Sequence, residues 1–89
     1  MLGQITAVKE KGFKPILYVD DFLARNEEML IIIRQARKLN VDICFENNSE
    51  SLHRVHKAHV FRYGTIPNYL EAMIKRKGGV IVSGNLVVS

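Results

Sequence analysis

Apolar positions along the chain fall into short blocks divided by polar or turn-forming residues, and the spacing within each block predicts its element. Ile16, Leu17, Tyr18 and Val19 form an unbroken apolar run after Pro15, the pattern of a strand covered on both faces, so a central strand is predicted. Beyond Asp20 and Asp21 the period changes. Met29, Ile32, Ile33, Ala36 and Leu39 recur every three or four residues, which gives a helix one apolar face. Asn26 suits its N-cap, Glu27 and Glu28 its first turn, Arg37 and Lys38 its last, and Asn40 the turn that ends it. Val41, Ile43 and Phe45 then alternate with Asp42, Cys44 and Glu46, which predicts a strand with one protected face at a sheet edge.

The remaining blocks repeat the alternation of strand and helix. Ser49 or Ser51 can cap a short helix reaching about residue 58, and Val60, Phe61 and Tyr63 predict a third strand closed by Gly64. Pro67, with Asn68 and Glu71 spaced as a capping box, opens a helix that buries Leu70, Met73 and Ile74 and stops at Gly78 and Gly79. Val80, Ile81 and Val82 form a fourth strand, and Gly84-Asn85 before Leu86, Val87 and Val88 fits a hairpin or a loop. In residues 1–13, Ile5, Ala7 and Val8 fit either the start of a strand or one helical turn before Gly12. The expectation adopted is an added strand. Strands separated by helices favour right-handed crossovers, so the fold class is α/β, a small three-layer domain with a mainly parallel sheet spanning residues 1–89.

Composition narrows the function classes. The longest apolar run, Met29 to Ile33, is far below the roughly 20 residues of a membrane helix. The single cysteine, Cys44, cannot form an internal bridge, and a cytoplasmic protein is expected. The net charge of +4 is uneven: residues 1–50 hold seven Lys and Arg against eight Asp and Glu, and residues 51–89 hold six against one. Arg54, Lys57, Arg62, Lys75, Arg76 and Lys77 are thus candidate phosphate contacts for a nucleic-acid-binding protein, with Phe61, Tyr63 or Tyr69 available to stack on bases. His53, His56 and His59 share a three-residue spacing that would put neighbours side by side on a helix, as a solvated basic face or a metal-binding pair. No nucleophile-base, paired-cysteine or glycine-rich phosphate-loop signature is present, which speaks against an enzyme.

Ligands of such a sheet gather at the C-terminal ends of its strands. Asp20 and Asp21, Glu46, Tyr63 and Ser83 are collected there, with the adjacent carboxylates able either to hold Mg²⁺ or to cap the turn. Here the chain resembles a known family. Ile16-Leu17-Tyr18-Val19-Asp20-Asp21, Asn26-Glu27-Glu28-Met29-Leu30, Glu46 through Leu52 and Val80-Ile81-Val82-Ser83 resemble parts of a response-regulator receiver domain over about residues 14–84. The resemblance implies a flavodoxin/receiver-like βαβ order, a Mg²⁺-binding pair at Asp20 and Asp21, and a hydroxyl contact at Ser83. It departs at one position: the family's phosphoacceptor aspartate lies four residues before a proline, and counted back from Pro67 that position holds Tyr63. A phenol cannot form an aspartyl phosphate. The family's last helix, strand and helix also find no counterpart, and the N-terminal segment is expected to fill the vacated sheet edge; an edge left open invites a protein partner or a second copy of the chain. The function expected first is therefore a non-catalytic, receiver-like regulatory domain acting by protein-protein interaction, including homodimerisation. A small nucleic-acid-binding protein is the second expectation. The third is a Mg²⁺-dependent phosphotransfer or hydrolytic enzyme holding its cation on Asp20, Asp21 and Glu46.

Overall fold

A computed structural model describes residues 1–85, which form four strands and three α-helices, with only short 3-10 helices joining the second strand to the third. The elements are α1 (Leu2–Glu10), β1 (Lys14–Val19), α2 (Glu27–Lys38), β2 (Asp42–Phe45), β3 (Ala58–Tyr63), α3 (Asn68–Arg76) and β4 (Val80–Ser83). The strands are all parallel in the order β2-β1-β3-β4, an α/β sheet of the expected class. β1 is central: Val19 lies opposite both Phe45 and Tyr63. β2 takes the edge position that its alternation predicts.

Side-chain direction explains why β1 reads as an unbroken apolar run. Leu17 and Val19 point to one face, where α1 contributes Ile5 and Val8, Met1 at its N-cap joins them, and α2 contributes Met29, Ile33 and Ala36. Ile16 and Tyr18 point to the other, against Leu70, Met73 and Ile74 of α3 and Leu52. Each fully buried Leu or Val contributes about 1.5–3 kcal/mol, so both faces of β1 stabilise the fold. The predicted caps of α2 are present: Asn26 Oδ1 accepts from the Glu28 N–H at 2.8 Å, and Asn40 turns the chain at φ 57°.

Three expectations are corrected. Residues 1–13 are not an added strand, because Met1, Ile5 and Val8 share a helical stripe over the sheet face; the segment covers a face rather than filling an edge. The segment after Ser49 forms only a short 3-10 helix, Glu50–Arg54, ended by the extended Val55, and neither serine caps it. Only Leu52 is buried from it, too few contacts to propagate an α-helix. The capping box at α3 does not form either: Pro67 occupies the N-cap with no side-chain bond, and Glu71 instead pairs with Lys75 at 3.0 Å. The Leu86–Val88 half of the predicted hairpin or loop lies outside the described residues.

Candidate functional site

Because all strands run the same way, their C-terminal ends share one edge, with Asp20, Asp21, Glu46, Tyr63 and Ser83 at or just past the strand ends. The chain leaves β1 towards β2 on one side and later returns to β3 on the other, so the crevice of this fold class opens between β1 and β3. Asp20 closes it. Its side chain is 7% exposed; Oδ1 accepts from the Leu23 N–H at 2.7 Å and Oδ2 from the Thr65 N–H at 2.9 Å, with Thr65 Oγ1 at 3.5 Å. The Asp20 N–H donates to the Tyr63 carbonyl at 3.0 Å, and Gly64 lies directly over the carboxylate.

The other rim residues are also engaged in holding loops. The Asp21 N–H donates to Glu46 Oε1 at 3.0 Å, which ties the loop after β1 to the one after β2. Arg62 reaches from β3 to the Gly64 carbonyl. The half-buried Tyr63 ring packs against Gly84, where a Cβ would stand 2.5 Å from it, and beside Leu23, Met29 and Ile32. Ser83 is exposed at the end of β4, opposite Arg62. Both oxygens of Asp20 thus accept from the loops it joins, and Asp21 meets Glu46 through its amide. Among the described residues, no three His, Cys, Asp or Glu side chains converge where they could hold a metal ion.

Beside the closed crevice, Asp21, Phe22, Arg25 and Asn26 line an open concavity of about 510 Å³. Phe22 is 84% exposed there. Hydrophobic periodicity could not single it out, since one Phe in a turn belongs to no pattern. Leu30 and Ile31 of α2 are exposed as well.

The basic residues assemble differently from the division by sequence half. Every helix runs back to the edge where the strands begin. That edge receives Lys9 and Lys11 from the end of α1, Lys14 from β1, Arg37 and Lys38 from the end of α2, Lys57 ahead of β3, and Lys75 to Lys77 from the end of α3. Nine cations there share the edge with Glu10 and Asp42, a formal +7 before the reach of Lys75 to Glu71 is counted, which leaves four cations against seven acids, −3, for the rest of the chain. Lys57, Lys75, Arg76 and Lys77 belong to this edge. Arg62 lies at the opposite one, and Arg54 ends the 3-10 helix on the α3 face.

The chain matches no family model, curated protein or solved structure.

The three histidines do not share a helix face. His53 lies in the 3-10 helix, His56 in the following bend and His59 inside β3, where Phe13 meets it edge-on at 6.1 Å and Phe61 lies 4.8 Å away. Burial lowers the His59 pKa from its ordinary value, with Lys11 adding to the effect. The folded state therefore binds fewer protons than the unfolded chain. Stability from this group is full above a pH of about 6.5 and declines as the pH falls below it. Urea denaturation at pH 7.5 and 5.5 is expected to show the loss, and His59→Phe to reduce it. An equal loss in that variant would assign the effect elsewhere.

Two further groups on the α3 side are packing rather than chemistry. Cys44 is buried and its thiol is pushed up to about 11 by burial, against a hydrogen bond with Ser51 that pulls the other way. Such a thiol is a poor nucleophile at neutral pH. Tyr18 is wholly buried, and desolvation, with Glu46 next, raises its pKa and keeps the phenol neutral.

Proposed function

We propose that this chain is a receiver-like regulatory domain that does not accept a phosphoryl group and acts by binding a protein partner at the C-terminal edge of its sheet. The observation that carries the reading is Phe22, an aromatic ring 84% exposed beside a crevice that Asp20 has closed. Where that crevice is filled by the protein's own hydrogen bonds, the surface around it is what a partner can meet. Exposed aromatic side chains next to a concavity are the residue type that anchors protein interfaces. The concavity and the first turn of α2 carry Asp21, Glu27 and Glu28, with Glu46 adjoining, against Arg25. A fitting partner therefore presents an apolar pocket rimmed by basic groups.

Two measurements test the reading. With p-benzoylphenylalanine in place of Phe22, irradiation of the full chain in its own cells is expected to give one discrete protein adduct. The adduct should disappear when Glu27 and Glu28 are changed to Lys. No adduct, or the same adduct from a probe at the exposed Leu2 on α1, would overturn the proposed surface. In a ¹⁵N amide spectrum, Mg²⁺ followed by a phosphoryl mimic is expected to give no saturable shifts localised at Asp20, Tyr63 and Ser83; such shifts would overturn the closed crevice.

A further inference from the structure

We infer that the opposite edge of the sheet, where the strands begin, binds the phosphate backbone of a nucleic acid through a row centred on Lys57. The inference is independent of the partner surface at the other edge. Backbone hydrogen bonds fix the row: the Lys14 N–H donates to the Lys57 carbonyl at 2.9 Å, and the Lys57 N–H donates to the Lys77 carbonyl at 2.9 Å. Successive strands are about 4.8 Å apart, so the turns leading into β1, β3 and β4 span about 10 Å. Neighbouring phosphates on one strand of a duplex are separated by more than their axial rise of about 3.4 Å, because the backbone winds round the axis, so a row of this length meets roughly two or three of them.

The conformation of Lys57 separates it from an ordinary surface lysine. The turns into β1, β2, β3 and β4 each contain a residue of positive φ: Gly12 at 86°, Asn40 at 57°, Lys57 at 55° and Gly78 at 78°. Three of these are residue types that adopt this region readily, and the fourth is a lysine. Its side chain runs between the two flanking glycines, with Cγ 3.7 Å from where a Gly78 Cβ would stand and Nζ 4.0 Å from that of Gly12. Nζ lies 5.5 Å from the centre of the Phe13 ring, which leaves its outward side to solvent. A strained backbone retained at an exposed cation points to a use for that cation.

Helix dipoles account for only part of the charge. Cations in the last turns of α1, α2 and α3 complement partial charges of about −0.5 each, roughly −1.5 in all, against the formal +7 of the edge. Lys14 is paired with Asp42 at 3.0 Å and Lys75 with Glu71 at 3.0 Å. Lys11, Lys57, Arg76 and Lys77, which have neither partner, are the groups assigned to phosphate.

Fluorescence anisotropy with a labelled 20-base-pair DNA duplex tests the assignment. Saturable binding is expected at low salt, weakening with a log-log slope of about −2.7 to −3.6 for three or four phosphates. Lys11→Ala and Lys77→Ala should each reduce that slope by about 1. Lys57→Gly should weaken binding while raising the melting temperature, since glycine removes the charge and relieves the backbone together. Arg54→Ala and Arg62→Ala should leave binding unchanged. No binding in low salt would overturn the inference. So would equal binding by the Lys11→Ala/Lys57→Gly/Lys77→Ala variant, or binding to phosphatidylserine vesicles with none to the duplex.

Discussion

Gly64→Ala is expected to destabilise the fold by about 3–5 kcal/mol, the combined cost of a strained left-handed residue and a displaced buried hydrogen-bonding group. The new Cβ would stand 1.9 Å from Asp20 Oδ2 and 2.2 Å from its Cγ, at a backbone φ of 89°. The carboxylate would have to move and surrender the N–H groups of Leu23 and Thr65. For a domain of this length total stability is roughly 4–13 kcal/mol, so the loss would be a large share of it. A shift in melting temperature of about 4–8 °C per kcal/mol makes it easy to read.

Asp20→Ala should itself cost about 2–4 kcal/mol by orphaning those donors. In the double variant the two losses should not add, because the alanine at 64 then meets no carboxylate. The sign of Asp20→Ala discriminates between roles. A carboxylate kept for a ligand at the expense of the fold would give a more stable protein on removal, whereas a carboxylate that ties the loops after β1 and β3 gives a less stable one. Thermal unfolding of the three variants decides the matter, and a Gly64→Ala protein within about 0.5 kcal/mol of the original would remove the basis for the closed crevice.

The legible parts of the fold were those set by local periodicity. The continuous run of β1 and the three- and four-residue spacing of α2 with Asn26 at its cap follow from how many faces of each element are covered, whereas β2, read as having one protected face, buries Cys44 on the other. The gathering of Asp20, Asp21, Glu46, Tyr63 and Ser83 at one edge followed from parallel strands alone. What each residue does there did not, because the role of Asp20 depends on Gly64 and Thr65, more than forty positions away. The basic edge was hidden for a related reason. Dividing charge by sequence half places Lys9, Lys11 and Lys14 in the balanced half, whereas the topology brings them beside Lys57 and Lys77. Serines that could cap a helix say nothing about whether enough apolar surface follows to sustain one, and after Ser49 only Leu52 is buried, so the segment stays a short 3-10 helix.

The N-terminal segment carries the sharpest contrast between the two readings of the chain, and one pair of substitutions separates them. In a strand, Ile5 and Ala7 share a face and Val8 points the other way. In α1, Ile5 and Val8 share the buried stripe, 2% and 7% exposed, and Ala7 faces solvent. Val8→Asp would bury an unpaired carboxylate against Met1, Ile5 and the sheet-facing side chains of α2. The expected cost is about 3–5 kcal/mol, or a lowered charge cost if the group takes up a proton, in which case the loss shrinks as the pH falls towards 5. Ala7→Asp, on the exposed side, should stay within about 0.5 kcal/mol. Chemical denaturation of both variants measures the difference. The reverse order of severity would return residues 1–13 to a sheet edge.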